Sequence, residues 1–261
     1  MNIVVCLKQV PGTTNVQIDP ETNTLRRQGI ENVVNPFDAY ALEEGVSLRE
    51  RFGGKVTAIT MAPPQAEEML REAISCGADE AVLVSDRAFA GADTLATSYT
   101  LSRSIQRFDE WDLVICGRQT IDGDTGQVGP GLAEWLGAPL VAYVSKVEDI
   151  KEGVATVRRM VEDGHEVIEM PLPGVITVVK EINVPRLPSL RGTMKAKRAE
   201  IPAWTARDID VDEALIGLSG SPTTVVKVFY PQRAHDAEMI AGDPETQVAS
   251  LVGKLREAGI G

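Results

Sequence analysis

The chain has 261 residues, of which 43% are hydrophobic and 25% are charged, and its formal net charge is −12 at pH 7. These values are typical of a globular protein with one large domain, or one domain with an extension. The acidic balance argues against nucleic-acid binding. No apolar run approaches the roughly 20 residues that cross a bilayer, so we expect no membrane insertion.

Cysteine use and the first residues indicate the compartment. Of the three cysteines, Cys6 and Cys116 lie in apolar runs, and Cys76 has no CxxC partner. Reduced, buried thiols are typical of cytosolic proteins, and the N-terminus lacks the basic region and cleavage site of a signal peptide. We therefore expect a cytoplasmic protein without a metal site.

Strands and helices alternate through the first half of the chain. The predicted strands are 3–7, 55–61, 81–84 and 113–116, with 140–144 as a candidate fifth and a small hairpin over 14–27. The predicted helices begin at Asn35-Pro36, at Met61-Ala62-Pro63-Pro64, at Asp93-Thr94 and near Val128. Asn35 is expected to cap the first of them, with Pro36 at the first helical position. This alternation predicts an α/β fold with a doubly wound, mostly parallel, Rossmann-like sheet.

The second half has a different pattern. Alternating runs at 155–160 and 166–170 predict an added antiparallel hairpin, and 174–180 reads as another strand. A basic segment at 186–198 is expected to form a loop and a short helix. An extended arm from 204 to 234 and an amphipathic helix over 245–258 then end the chain. We expect two parts: a nucleotide-binding α/β domain over 1–205 that includes the hairpin and a docking loop, and a C-terminal arm and helix over 206–261 that embrace a partner subunit.

The stretch from Trp111 to Pro139 predicts a buried strand, a polar glycine-rich loop and a helix that ends at Gly137. A loop that leaves the carboxyl end of a strand and enters a helix is where open α/β sheets bind phosphorylated ligands. The hypothesis is nucleotide binding, and the alternative is an ordinary strand-to-helix connection. The chain has no P-loop, no GxGxxG fingerprint and no histidine in a catalytic motif. We expect no catalytic residue here, so a bound cofactor would carry any chemistry.

The loops that follow the first four predicted strands should meet at one edge of the sheet. Two of them enter helices, and we expect free backbone N–H groups at Asp93/Thr94 and at Thr125/Gly126, with hydroxyls of Thr94, Thr97 and Thr125 beside them. The alternative is that Asp93 and Asp124 are only N-caps. The candidate cofactor-binding residues are Cys6, Asn35, Pro36, Phe37, Asp38, Met61, Asp93, Thr94, Thr97, Gly117, Gln119, Asp122, Gly123, Thr125, Gly126, Gln127 and Val128.

Four segments together resemble the beta subunit of an electron-transfer flavoprotein over nearly the whole chain. They are VVCLKQVP at 4–11, NPFD at 35–38, GRQTIDGDTGQ at 117–127, and a region from 157 to 197 with VRR, EDG, PLP, NVPR and MKAK. The resemblance implies an alpha-subunit partner with its own FAD and an adenine nucleotide in this subunit. It also implies that Leu190 docks on an acyl-CoA dehydrogenase and that the C-terminal arm embraces the alpha subunit.

The family has two forms, and residues 91–98 and 123–130 resemble the electron-bifurcating form. That form binds FAD in the beta subunit, takes hydride from NADH, and sends electrons both to a low-potential ferredoxin or flavodoxin and, through the alpha-subunit FAD, to an acyl-CoA dehydrogenase. Gly126 departs from the alanine expected there. The alternatives are an AMP-binding structural and docking subunit of a simple carrier, and a nucleotide-sensing or ATP-hydrolysing domain of the same fold.

Overall fold

The computed structural model describes residues 1–12, 17–18, 25–26, 32–226 and 237–260, with backbone alone at 17–18 and 25–26. It divides into two compact units, Met1–Val226 and Lys227–Gly261. The domain boundary that the sequence suggests between 205 and 206 stays a prediction.

The first unit is built on a nine-stranded, mostly parallel sheet. Its strands are β1 (Asn2–Cys6), β6 (Lys55–Met61), β7 (Glu80–Val84), β8 (Leu113–Gly117), β9 (Leu140–Lys151), β10 (Val154–Val161), β11 (Gly164–Pro171), β12 (Gly174–Val178) and β13 (Ala203–Trp204). Their order across the sheet is β11-β10-β9-β12-β8-β1-β6-β7-β13. All neighbouring strands pair in parallel except β9 with β10 and β10 with β11, and these two antiparallel pairs form the hairpin extension. The predicted fold class is therefore confirmed.

Short antiparallel pairs lie outside this sheet. The strands are β2 (Gln9–Pro11) with β5 (Asn32–Val34), and β3 (Gln17–Ile18) with β4 (Leu25–Arg26). The second pair falls in the small hairpin expected over 14–27, most of which lies outside the described residues.

Helices cover both faces of the sheet. In the first unit they are α1 (Pro36–Phe52), α2 (Glu67–Ser75), α3 (Thr94–Ile105), α4 (Val128–Leu136) and α5 (Leu190–Arg198). Successive side chains of β1 point to opposite faces: Ile3 and Val5 enter a core with α1 and α2, whereas Val4 and Cys6 enter a second core with α3 and α4. This arrangement makes the sheet doubly wound.

The strand order reverses between β1 and β8. After β1 the chain moves outward through β6 and β7, and after it returns to β8 it moves in the other direction toward β12 and β9. Open α/β sheets bind ligands in the crevice outside such a switch point. The loops after β1 and β8 border this crevice.

Several elements differ from the sequence prediction. The fifth strand runs to Lys151 instead of ending near 144, and β13 was not predicted. The residues beyond β13, expected to form an extended arm, also contribute to a core: Ile209 and Ile216 are buried in the core that contains α3.

The second unit contains one helix among its described residues, α6 (Pro244–Glu257), which begins after Asp243. The Asp243 carboxylate accepts hydrogen bonds from the N–H groups of Glu245 and Thr246, both at 3.1 Å. None of the helices in the described ranges combines the length and apolarity needed to cross a membrane.

Candidate functional site

The floor of the crevice is formed by two thiols. Cys6 and Cys116 are register partners on β1 and β8, and both are buried. The hydrogen bond with Cys6, together with burial, raises the pKa of the Cys116 thiol well above its usual value. The floor therefore carries no negative charge from Cys116 at neutral pH. No group of three His, Cys, Asp or Glu in the described part of the chain is placed to hold a metal ion.

Asp38 joins the ends of both strands from the first turn of α1. Its carboxylate accepts hydrogen bonds from the backbone N–H of Lys8, at 2.7 Å, and from that of Gly117. Burial raises the pKa of Asp38 to about 7, although these two hydrogen bonds and a third from Asn35 act to lower it. Gly117 has no room for a side chain, because a Cβ there would lie 2.3 Å from Asp38 Oδ1.

Asn35 precedes α1 as predicted, but its side chain does not cap the helix. Its amide instead donates to the carbonyl of Gln119 at 2.9 Å, and its oxygen accepts from the N–H of Ile121 at 3.2 Å. The side chain is fully buried. Asn35 therefore stands at the predicted N-cap position of α1, but its side chain holds the glycine-rich loop after β8 in place and does not cap the helix.

An ion pair between Lys8 and Asp122 holds the glycine-rich loop against the end of β1. Lys8 Nζ lies 2.8 Å from both carboxylate oxygens of Asp122. Burial alone would raise the pKa of Asp122, but hydrogen bonds from Lys8 and Thr120 and the charge of Lys8 bring it below its usual value. Sequence reasoning did not single out Lys8, since its partner lies 114 residues away.

The start of α3 offers fewer free donors than the sequence predicted there, since only the N–H of Thr94 has no acceptor among the described residues. Asp93 Oδ1 accepts from the N–H groups of Leu95, at 2.9 Å, and Ala96, at 3.2 Å. Its other oxygen accepts from the N–H and hydroxyl of Thr223, at 3.1 and 2.8 Å. Burial alone would raise the pKa of Asp93, but these hydrogen bonds together hold it below its usual value. The Asp93 carboxylate thus takes two of the N–H groups that a phosphate at this helix start would use.

The start of α4 has the opposite character. The helix begins at Val128, where the apolar spacing predicted it, although free N–H groups were expected at 125/126, and the side chain of Gln127 provides no capping hydrogen bond. Among the described residues none accepts a hydrogen bond from the N–H of Val128 or Gly129, and Pro130 has no N–H. Unsatisfied donors and the helix dipole make such an end an anion site. The two helix starts are joined by a 2.8 Å hydrogen bond from Thr94 Oγ1 to Gln127 Oε1.

Glycines let α4 lie close to its neighbours. A Cβ on Gly129 would lie 2.4 Å from Thr177 Cγ2, and one on Gly131 would lie 2.5 Å from Ser98 Oγ. These approaches place the uncapped end of α4 directly above β12 and beside α3.

The remaining predicted residues line the same edge less directly. Gly123, Thr125 and Gly126 are exposed in the loop, Thr97 is half-buried in α3, and Met61 is half-buried at the end of β6. Gly126 adopts φ of +63°, which suits glycine. Pro36 is exposed and Phe37 half-buried at the first turn of α1. The structure thus gathers the predicted cofactor-binding residues at one sheet edge, while their roles stay predictions.

A second exposed region, here called the docking surface, comprises Val184, Leu187, Leu190 and Met194. Leu190 is the first residue of α5 and is 82% exposed. The segment before it is anchored to α1 by Arg186, whose guanidinium bonds to Glu43 and Glu50 at 2.7–3.1 Å. The docking surface is therefore an exposed apolar patch on a fixed backbone.

Comparison with known proteins identifies relatives along the whole chain. The family model described as electron transfer flavoprotein domain matches residues 22–209. An electron transfer flavoprotein subunit beta of Thermoanaerobacterium thermosaccharolyticum is 51% identical over 256 residues, 98% of each chain. Subunit CarD of the caffeyl-CoA reductase–Etf complex of Acetobacterium woodii is 50% identical over 98% of each chain, and protein FixA of Azotobacter vinelandii is 46% identical over 98% of this chain and 94% of its own.

Proposed function

The chain belongs to the electron transfer flavoprotein family, and we propose that it is the beta subunit of a heterodimer whose alpha subunit carries its own FAD. The proposal is supported by the full-length similarity to a protein named subunit beta. The exposed apolar side chains of α6, Val248, Leu251, Val252 and Leu255, give the second unit a surface that a partner subunit would cover.

We further propose that the crevice holds FAD, with AMP as the alternative. The observation that carries this proposal is the uncapped start of α4 at the switch point of the sheet. The loop before this helix is built of small residues, and an added Cβ on Gly123 would make only an ordinary contact, 3.5 Å from Thr120 Oγ1. The N–H groups of Val128 and Gly129 would hold a phosphate, and Thr125 would add a neutral donor.

A bound FAD would supply the redox chemistry: hydride uptake from NADH and electron delivery to a ferredoxin or flavodoxin and, through the alpha-subunit FAD, to an acyl-CoA dehydrogenase. The part of this chain is to bind and orient. Asn35 and Lys8 fix the loop, and the neutral Cys116 thiol on the floor adds no charge beneath the cofactor. The relative CarD is named as a subunit of a complex with caffeyl-CoA reductase, which supports an acceptor of this class.

The test is a cofactor count on the complex. The chain should be purified with its alpha subunit, denatured, and the released flavins and AMP quantified. We expect two flavins per heterodimer. One flavin with one AMP would establish the simple-carrier alternative.

The position of the site is tested by Thr125→Arg. An arginine in the loop would fill the space beside the α4 start, so we expect loss of the beta-site nucleotide with the alpha-subunit flavin retained. Thr125→Ser, which keeps the hydroxyl, and Thr156→Arg on β10 serve as controls and should release nothing. Full cofactor retention in Thr125→Arg would place the site elsewhere.

A further inference from the structure

Residues 217–223, here called the latch segment, bind the loop that leads into α3. Ser221 Oγ accepts a hydrogen bond from the backbone N–H of Asp93 at 2.8 Å and donates one to the carbonyl of Gly217 at 2.6 Å. Thr223 donates from both its N–H and its hydroxyl to one carboxylate oxygen of Asp93, at 3.1 and 2.8 Å. The latch segment therefore holds Asp93 by its backbone and by its side chain.

Packing fixes the latch segment before its hydrogen bonds reach Asp93. Ile216, directly before it, is buried in the core that contains α3. Gly217 has φ of +54°, and a Cβ there would collide with the carbonyl of Ala88. On the loop itself, a Cβ on Gly91 would lie 3.3 Å from Leu218 Cβ. Because the two backbones lie this close, the latch segment is a rigid support for the loop and not a loose tail.

Asp93 connects this support to the crevice. Its second carboxylate oxygen caps α3. The next residue, Thr94, donates from its hydroxyl to Gln127 Oε1 at 2.8 Å, and Gln127 directly precedes the uncapped start of α4. A continuous series of contacts thus leads from Thr223 through Asp93 and Thr94 to the helix start where the cofactor phosphate is proposed to bind.

The strongest bonds in this series are those of the latch segment. The bond from Thr94 to Gln127 joins two neutral groups, and such a bond contributes little net free energy in water. Hydrogen bonds to a carboxylate are about twice as strong, and Asp93 receives two of them from Thr223. The position of the α3 start relative to the α4 start therefore depends mainly on how Asp93 is held.

We propose that Ser221 and Thr223 are positioning residues for the cofactor of the crevice. They act through Asp93, which they hold so that the start of α3 stays against the start of α4. The N–H groups of Val128 and Gly129 then remain directed at the phosphate without rearrangement when the cofactor binds. The inference rests on the proposed function, which places the cofactor at this helix start, and it holds for FAD and for AMP.

The test is the rate at which the purified heterodimer, with its cofactors in place, releases the beta-site nucleotide. Free nucleotide is separated at intervals, and the FAD and AMP that stay bound are quantified after denaturation. Thr223→Val removes the hydroxyl with little change in shape, so we expect release about fivefold faster than in the wild type, and a similar increase in Ser221→Ala. Thr223→Ser keeps the hydroxyl and should release the nucleotide at the wild-type rate.

Thr205→Val is the matched control. Thr205 donates from its N–H and its hydroxyl to Asp208 Oδ2, at 2.8 and 2.7 Å, which repeats the bonds of Thr223 to Asp93. It follows the edge strand β13, away from the switch point of the sheet. Thr205→Val should therefore lower the denaturation midpoint of the complex as much as Thr223→Val does, while its nucleotide release stays at the wild-type rate.

Nucleotide content and release rate separate the outcomes. Wild-type release in both Thr223→Val and Ser221→Ala overturns the positioning role, and so does equally fast release in Thr223→Ser and Thr223→Val. AMP in place of a second flavin contradicts the proposed FAD, whereas faster AMP release from Thr223→Val still supports the latch segment. A wild-type heterodimer with one flavin and no AMP contradicts the proposed site and this inference with it.

Discussion

Asp38 couples the stability of the crevice to pH. Its pKa is about 7 in the folded protein, against an ordinary value of 3.8. Because the folded pKa is the higher one, folding favours the protonated carboxyl. Its contribution to the free energy of unfolding is fully present below pH 4 and is lost as the pH rises through 7. The loss between pH 5 and pH 8 is about 3 kcal/mol.

Asp38→Asn removes this titration. The stability of the variant relative to the wild type should therefore increase from pH 5 to pH 8, as measured by chemical denaturation of the complex at each pH. Asp163→Asn, which replaces an exposed carboxylate in the hairpin turn, provides the control and should show no comparable trend. Parallel stability profiles for Asp38→Asn and the wild type would mean that the carboxyl does not titrate in this range.

Residue roles were predictable where they depend on local pattern and not where they depend on distant partners. The burial of Cys6 and Cys116 follows from the apolar runs that contain them. The role of Asn35 does not, because its partners Gln119 and Ile121 lie 84 and 86 residues away. A residue before proline at a helix start reads locally as a cap whether or not a distant loop takes its side chain.

At the scale of elements, replacing a glycine by alanine is expected to destabilise α4 but to stabilise α6. Gly129→Ala would bring a methyl group within 2.4 Å of Thr177 Cγ2, and such overpacking costs about 1–3 kcal/mol. Gly253→Ala in α6 meets no atom within 4 Å, so it should gain about 0.5–1 kcal/mol from helix propensity alone.

Hydrogen exchange resolved by peptide reports each helix separately. We expect faster exchange in α4 for Gly129→Ala and slower exchange in α6 for Gly253→Ala, each compared with the wild-type complex. Equal or slower exchange in α4 of the first variant would show that the helix can move away from β12 without cost.

The bounds of the elements agree closely with the sequence prediction where glycine or proline marks the end of an element. Strand β6 occupies the predicted 55–61, and α4 ends where Gly137 takes the left-handed conformation. Strand β13 was missed because its two residues carry no periodicity and are defined by pairing with Leu83 and Val84. At the start of α3 the sequence left open whether Asp93 caps its own helix, and the structure shows that it does, which leaves fewer free donors than expected.

At the scale of the whole molecule, charge is unevenly distributed. The chain has a net charge of −12, yet the groove beside Leu190 is lined by Arg191, Lys195 and Arg198. A partner that docks there would offer an apolar pocket with acidic groups at its rim, and added salt would slow the encounter.

Leu190→Ala tests the proposed role of the docking surface in transfer to an acyl-CoA dehydrogenase. Leu190 is 82% exposed and packs on little of its own chain, so its truncation should leave the fold and the cofactor content unchanged. Loss of its buried area in the encounter complex, about 1.5 kcal/mol, should raise the KM for the dehydrogenase about tenfold with kcat much less affected. Val167→Ala, which shortens an exposed side chain on β11, is the matched control and should transfer electrons at the wild-type rate. An interface centred on the Leu190 side chain must weaken when that side chain is truncated. An unaltered KM in Leu190→Ala would therefore show that dehydrogenase binding uses another surface.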